Sequence, residues 1–404
     1  MNAESKIRSK ELTHLAENFY KYKTRYLEEH DNNNITNDNK RQLLEHFHAT
    51  EEDWRNWEWQ MKNRVNSTDV LKKVFNMSVD SIANIEKVSS VYRWSVTPYY
   101  LSQIRSISNN DPFYLQAIPS LCELETWGSN DPMGENFTNP AGAITRRYPD
   151  RVIINITNSC PSYCRHCQRR RNIGTCDFDT SSSKIEESVM YIKEHPEIRD
   201  VLVTGGDALT LSDNALDKIL WQLRQIPSIE IIRIGTRTPV TLPQRITPQL
   251  VKILKTYSPI YINTQFNHPL EITNEASLAC RTLVDSGIVM GNQMVFLKNV
   301  NDNLYTVQLL NQLLLENRIR PYYIFHPKNI IGTHHFYIPV RQGLEIVQGL
   351  RGYTSGLAIP TYVYNSENGN GKIPLSPECL AAKDDENYIY METWEGKKIT
   401  INKK

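Results

Sequence analysis

The chain has 404 residues, with 46 Lys and Arg against 45 Asp and Glu for a net charge of +1. So even a balance argues against a dedicated nucleic-acid or membrane surface, no apolar run approaches the ~20 residues that span a bilayer, and the charged start Met1-Asn-Ala-Glu-Ser-Lys-Ile-Arg lacks the apolar core of a signal peptide. Seven sparse cysteines suit a reducing compartment better than a disulfide framework, so a soluble, cytoplasmic protein of about two or three domains is expected.

In chain order, residues 1–45 read as a helix followed by a flexible linker rich in asparagine, around Asp31-Asn-Asn-Asn34 and Asn37-Asp-Asn-Lys40. Residues 50–110 read as helical. Thr50-Glu-Glu-Asp53 has the form of a capping box, and Trp54, Trp57 and Trp59 follow as packing residues on a short amphipathic helix. The stretches 96–101 and 110–119 look like helix starts separated by turns. From 152 the rhythm changes. Strands are expected over 152–157, 200–204, 229–235, 259–264, 289–297 and 322–326, with helices over 183–195, 214–225, 248–257, 275–286 and 305–317. Strands joined in this way by helices imply an α/β fold with a parallel sheet and the helices outside it. Regular alternation without an obvious reversal favours a barrel or partial barrel over a doubly wound sheet. In a barrel the chemistry sits at the C-terminal ends of the strands.

Straight after the first of these strands comes Asn158-Ser-Cys-Pro-Ser-Tyr-Cys-Arg-His-Cys-Gln-Arg-Arg-Arg171, in which Cys160, Cys164 and Cys167 have the spacing C-x3-C-x2-C. A [4Fe–4S] cluster is normally held by four thiolates. Three leave one iron open, where a small molecule can be bound and reduced. Structural zinc wants four closed ligands, usually as two C-x2-C pairs, and only His166 and Cys176 are near enough in sequence to complete such a set. Gly205-Gly-Asp207 follows the second strand. Its small residues would let a ligand approach the backbone and would offer exposed amides to an anionic group.

The run Thr361-Tyr-Val-Tyr-Asn-Ser-Glu-Asn-Gly-Asn-Gly-Lys-Ile-Pro374 leads from a β-rich stretch into a loop ending at Lys372. Lys372 is either a surface lysine or the anchor of an internal Schiff base, which needs a small-residue loop so that a planar cofactor can lie close to the backbone. Asn368 and Asn370 stand beside Gly369 and Gly371, and Asn tolerates left-handed backbone. A phosphate cradle for pyridoxal phosphate is available in Thr145-Arg-Arg-Tyr-Pro-Asp-Arg151, where Arg146, Arg147 and Arg151 are either solvated or phosphate-binding. Arg169-Arg-Arg171 has the same ambiguity toward a carboxylate.

Taken together, the chain resembles the lysine 2,3-aminomutase family of radical S-adenosylmethionine (SAM) enzymes. The resemblance runs from about Trp54 to about residue 375. It is carried by Trp54-Arg-Asn-Trp-Glu-Trp-Gln, Thr97-Pro-Tyr-Tyr-Leu-Ser, Arg147-Tyr-Pro-Asp-Arg, Tyr163-Cys-Arg-His-Cys, Gly205-Gly-Asp-Ala-Leu, Arg233-Ile-Gly-Thr-Arg-Thr-Pro, Phe266-Asn-His-Pro, Gly291-Asn-Gln, Arg320-Pro-Tyr-Tyr-Ile and Gly349-Leu-Arg-Gly-Tyr-Thr-Ser-Gly. It implies a helical region over 1–110, a partial (β/α)6 radical-SAM barrel over 111–340, and a C-terminal segment over 341–404 that carries the pyridoxal phosphate lysine. Cys160, Cys164 and Cys167 would hold the [4Fe–4S] cluster, whose open iron takes the amino and carboxylate groups of SAM. Gly205, Gly206, Asp207 and Gln293 would seat SAM. Lys372 would join pyridoxal 5'-phosphate as a Schiff base, Arg147 and Arg151 would bind its phosphate, and Arg169 would bind the substrate α-carboxylate. The implied reaction is a 1,2-amino shift started by a 5′-deoxyadenosyl radical. The implied partners are a small amino acid substrate, an electron donor such as ferredoxin or flavodoxin, and further copies of the chain in a homo-oligomer.

Lysine-specific members hold the substrate ε-ammonium with two aspartates, one just after the last barrel strand and one that begins the glycine loop. Those positions are Lys328 and Asn365 here. In a desolvated pocket Lys328 would repel an ammonium by on the order of several kcal/mol, whereas the pair suits a side-chain carboxylate. The resemblance therefore implies L-glutamate as substrate and β-glutamate as product. If Lys328 points to solvent, neutral side chains stay open, and lysine or arginine would need an acid elsewhere, for example Glu367. The cysteines with which clostridial lysine-specific members bind zinc near the C-terminus are missing, so structural zinc is not expected, and Gln265 replaces a histidine that some members carry. Two other readings stand beside this one: a relative that modifies or supplies a lysine on a translation factor, and a non-catalytic metal-binding module.

Overall fold

The computed structural model describes residues 3–31, 33–107, 110–377, 388–393 and 397–402. Cys379 and the other residues of 341–404 not in these ranges lie outside the described residues.

Nine strands form one sheet in strict chain order: β1 (Ile144–Tyr148), β2 (Arg151–Thr157), β3 (Asp200–Gly205), β4 (Ile231–Gly235), β5 (Ile260–Thr264), β6 (Val289–Val295), β7 (Arg320–Phe325), β8 (Thr361–Asn365) and β9 (Lys372–Leu375). β2 to β8 run parallel, while β1 and β9 are antiparallel edges. The six expected strands are β2 to β7, and β8 adds a seventh parallel one. A doubly wound sheet reverses its strand order. This one never does, so each right-handed crossover returns on the same side and the helices cover one face only.

Alternation along the strands makes the same point. On β4, Ile232 and Ile234 are fully buried under helices, while the alternating Arg233 and Gly235 are only partly buried on the open face. The covering helices Ser182–Glu194, Asp213–Arg224, Pro248–Thr256, Asn274–Asp285 and Leu304–Glu316 begin and end within a residue or so of expectation. Asp213–Arg224 buries Leu216, Ile219, Leu220 and Leu223, an apolar stripe at helical spacing. The sheet curls without closing. Among the described residues β1 and β9 do not pair with each other, but the Lys372 amide donates to Tyr148 Oη at 3.0 Å and so links the two edges.

The N-terminal region differs from expectation at one place. Asn34–His46 is helical where a flexible linker was expected. Leu43 is fully buried, and Asn39 is buried with its amide donating to the carbonyls of Ser102 at 3.2 Å and Ile104 at 2.6 Å. Polar composition concealed two anchoring contacts. The helix Ala3–Asp31 packs Phe19 and Tyr26 against Leu309. The Thr50–Asp53 capping box is present in both directions, at 3.2 and 2.8 Å, and Trp54 is buried against Trp59. No helix among the described residues is long and apolar enough to cross a membrane.

Candidate active site

The cysteine loop leaves the C-terminal end of β2 and is tied down on three sides. Asn158 donates to the carbonyls of Ile173 and Cys176, each at 3.0 Å, and accepts from the Phe178 amide at 2.8 Å. The amides of Tyr163 and Arg165 reach Ser95 O and Gln116 O, both at 2.9 Å. The buried Arg165 guanidinium forks onto fully buried Glu123. Burial, reinforced by Asp207 and by the other two thiols, pushes the Cys160 thiol well up, and burial followed by Cys164 raises Cys167. Two buried thiols that resist ionising suit a site where a metal drives off their protons. Among the described residues no three His, Cys, Asp or Glu side chains converge on a single ion. A four-iron cluster instead gives each cysteine its own iron. Cys176 is exposed, and the His166 ring packs edge-on against Phe336 at 5.9 Å, so neither completes a zinc set.

The turn through Gly205 and Gly206 closes against the cysteine loop. The Gly206 amide donates to Thr157 O at 2.5 Å and the Asp207 amide to Ser159 O at 2.8 Å, so neither faces a ligand. The glycines are needed for packing against the cysteine loop. Gly205 has φ +132°, and a Cβ on Gly206 would land on Ser159 O and come within 2.6 Å of the Asn158 carbonyl carbon. The buried Asp207 carboxylate accepts from Thr236 Oγ1 at 2.6 Å and from the Arg237 amide at 2.7 Å, joining the ends of β3 and β4. Gln293 is half-buried on β6, opposite Tyr323 of β7.

The other cluster of expected residues gathers beside β8 and β9. The register pairs Asn365 with Lys372 across neighbouring strands. The Lys372 amine lies over the rings of Tyr323 at 4.6 Å and Phe325 at 5.5 Å. It keeps a path to solvent, yet burial followed by Arg233, Arg151 and Arg147 pulls it down to about 8. The loop before it turns through left-handed Asn368 (φ +56°), Gly369 (φ +77°) and Gly371 (φ +93°), while Asn370 is not left-handed. Lys328 and Asn365 line one narrow cleft with Met133, His326, Tyr364 and the exposed Glu367. Lys328 donates to Gln168; burial, then Arg147 and Arg169, hold its amine at about 7.

The arginines separate by strand alternation. Arg147 turns inward to Glu135 at 2.8 Å, whereas Arg146 turns outward to Glu197 at 2.7 Å and Tyr191 Oη at 2.9 Å, which removes it from the phosphate cradle. Arg151 lies 3.9 Å over the Tyr148 ring. Of the second triplet, Arg169 pairs with Glu135 at 3.1 Å and Arg171 with Asp131 at 2.8 Å. Arg170 is not solvated: it is buried against Glu123.

Glu135 and Tyr148 were not singled out from the sequence. Glu135 is buried among Arg169, Arg147 and Lys328, which outweigh its desolvation and hold it at about 2. Tyr148 stacks under Arg151 and supports the turn into Lys372, and it lies inside the Arg147-Tyr-Pro-Asp-Arg block. Glu135 carried no local signal beyond one acid among small residues. Among the described residues two buried donors here, Arg147 Nε and Asn365 Nδ2, have no partner. A basin with surplus cations and orphan N–H groups fits anionic ligands.

Comparison with known proteins gives concordant matches. The model of the radical SAM superfamily matches residues 154–303, and that described as lysine-2,3-aminomutase matches 347–402. The chain is 51% identical over 366 residues to glutamate 2,3-aminomutase of Clostridioides difficile, covering 90% of this chain and 86% of that protein. It is 43% identical over 351 residues to L-lysine 2,3-aminomutase of Acetoanaerobium sticklandii, covering 86% and 84%. It is also 43% identical over 350 residues to the L-lysine 2,3-aminomutase of Clostridium subterminale, with the same coverage.

Proposed function

This chain belongs to the lysine 2,3-aminomutase family of radical SAM enzymes, and we propose that it moves the α-amino group of L-glutamate to Cβ, giving β-glutamate. The observation that carries the substrate is the cleft shared by Lys328 and Asn365, next to the Lys372 strand and to Arg169. A substrate with a carboxylate at each end finds a cation for each: Arg169 for the α-carboxylate, Lys328 for the side chain, with Asn365 Nδ2 as an added donor. A substrate ammonium would meet Lys328 and Arg147, with Glu135 already held by three cations and Glu367 exposed at the cleft's edge. The 51% identity with a glutamate 2,3-aminomutase supports the same reading.

The crowded thiols of Cys160, Cys164 and Cys167 fit a [4Fe–4S] cluster. The small-residue turn into Lys372, with Arg147 and Arg151 beside it, fits pyridoxal phosphate. When bound, the cluster with SAM supplies a carbon radical able to take hydrogen from the substrate Cβ, and pyridoxal phosphate supplies a conjugated acceptor for the migrating nitrogen. The chain's own residues do the rest. Lys372, lowered to about 8, loses its proton far more readily than an ordinary lysine and so has a neutral amine available to the cofactor. Arg147 and Arg151 would hold the phosphate with forked donors. Asp207 fixes the turns after β3 and β4, Gly205 and Gly206 let the cysteine loop seat close, and these residues with Gln293 would hold SAM. Tyr323 and Phe325 wall the basin with apolar surface and keep stray hydrogen donors from the reacting carbon. As functional parts, 111–340 serves radical generation, 341–404 contributes the lysine, and 1–110 braces the cysteine loop.

Anaerobic reconstitution with iron, sulfide, pyridoxal phosphate and SAM, followed by a screen of glutamate, lysine, arginine and alanine, tests this. β-Glutamate is the expected product. Another β-amino acid without β-glutamate overturns the substrate.

A further inference from the structure

Arg237 stands at the end of β4 in the block Arg233-Ile-Gly-Thr-Arg-Thr-Pro, and none of the roles above uses its side chain. It is buried, and its Nη1 lies 2.8 Å from Cys164 Sγ. The rest of the guanidinium is fully anchored. Nη2 donates to Glu271 at 2.6 Å, to Gln116 Oε1 at 2.6 Å and to Tyr100 Oη at 3.3 Å, and Nε donates to Gln265 O at 3.2 Å. Glu271 is itself locked, accepting from Tyr100 Oη, from Gln116 Nε2 (both 2.9 Å) and from the Asn267 amide at 2.6 Å. The Arg237 backbone is pinned as well, through its amide to Asp207. With every other prong fixed, the remaining N–H group is aimed at the sulfur.

We propose that Arg237 is a positioning residue for radical generation: its guanidinium hydrogen-bonds the Cys164 sulfur and shifts the cluster toward its reduced form. The proposal rests on the reading that Cys160, Cys164 and Cys167 hold a [4Fe–4S] cluster. Reduction adds one electron to the cluster, delivered by a low-potential one-electron donor, and neither breaks nor makes a bond. The added negative charge is shared with the thiolate sulfurs, and a donor on one of them favours the more charged state. Burial keeps solvent from screening that bond. Glu271 neutralises Arg237 overall, so the effect is directional: the positive end of the ion pair faces the sulfur.

The test uses reconstituted, dithionite-reduced protein from cells fed arginine labelled with 15N in the guanidinium alone. Pulsed EPR of the reduced cluster is expected to show a weak 15N coupling, lost in Arg237→Lys, whose ammonium can still pair with Glu271. Arg237→Lys is also expected to be about tenfold harder to reduce, which for one electron is about 59 mV lower in midpoint, with iron and sulfide content unchanged. A reduced cluster with no 15N coupling in the unmodified protein overturns the proposal by itself, whether or not the variant folds. An unchanged midpoint in a folded Arg237→Lys does the same. Absence of any [4Fe–4S] signal would overturn the cluster reading and this proposal together, so the two failures are told apart.

Discussion

The two ends of this basin are built on opposite principles. At the cysteine end charge is matched by charge: Gly206 and Asp207 amides bond the cysteine loop, the Asp207 carboxylate accepts from Thr236, and Arg165 with Glu123 and Arg237 with Glu271 form buried ion pairs. At the lysine end cations outnumber acids, Arg147 Nε and Asn365 Nδ2 have no partner among the described residues, and Lys328 and Lys372 are held at about 7 and 8. The first arrangement is set by close packing, the second by unbalanced charge. A family can therefore keep one radical source and change its substrate through a few side chains, because the substrate end is not locked into the sheet's packing.

That contrast can be broken at either end. Gly206→Ala is the largest expected effect, because its Cβ meets backbone atoms of the cysteine loop, which cannot swing aside as a side-chain tip would. Overpacking of this kind costs about 1–3 kcal/mol, and here the strain falls on the metal ligands. Iron content after reconstitution should collapse and turnover with it. A variant with full cluster content would show that the loop is softer than its hydrogen bonds indicate.

Lys328→Asp acts at the other end and should leave the cluster and its iron content alone. Losing one partner of a buried charge pair costs about 2–5 kcal/mol, or roughly 30- to 3,000-fold in kcat/KM for glutamate at ~1.4 kcal/mol per tenfold. Unchanged glutamate turnover would remove Lys328 from the pocket. A fall in iron content would show that the two ends are not independent.

Much of this was legible in the sequence, for reasons that differ by element. β2 to β7 and their helices are strongly periodic, and burial on one face repeats that periodicity. The sites expected at strand ends follow from the same topology, which is why Cys160, Lys328 and Lys372 share one open face. β8 was read only as a β-rich run, because its place in the sheet depends on pairing with β7. The asparagine-rich helix Asn34–His46 was misread because the contacts that hold Asn39 are about sixty residues away in sequence. The packing role of the glycines after β3 was not legible, because the neighbours that demand glycine are backbone atoms of another loop. Glu135 escaped altogether, since three cations assembled from distant segments give it its character.

The smallest predicted effect tests whether the imbalance at the lysine end is felt by substrate. Burial and the guanidinium groups of Arg147 and Arg169 lower the Lys328 amine from its ordinary value to about 7. In the free enzyme it is therefore charged below about pH 7 and neutral above, and only the charged form attracts a carboxylate. Affinity for glutamate should fall as pH rises through 7, with kcat/KM dropping toward about tenfold per pH unit, because that parameter reports groups of the free enzyme. A bound carboxylate raises the amine's pKa again, so kcat should stay flat over the same window while KM rises. Lys328→Arg supplies a guanidinium that does not titrate in this range and should flatten kcat/KM. A profile identical in the unmodified protein and Lys328→Arg would assign the titration to another group, with Lys372, held at about 8, the next to examine.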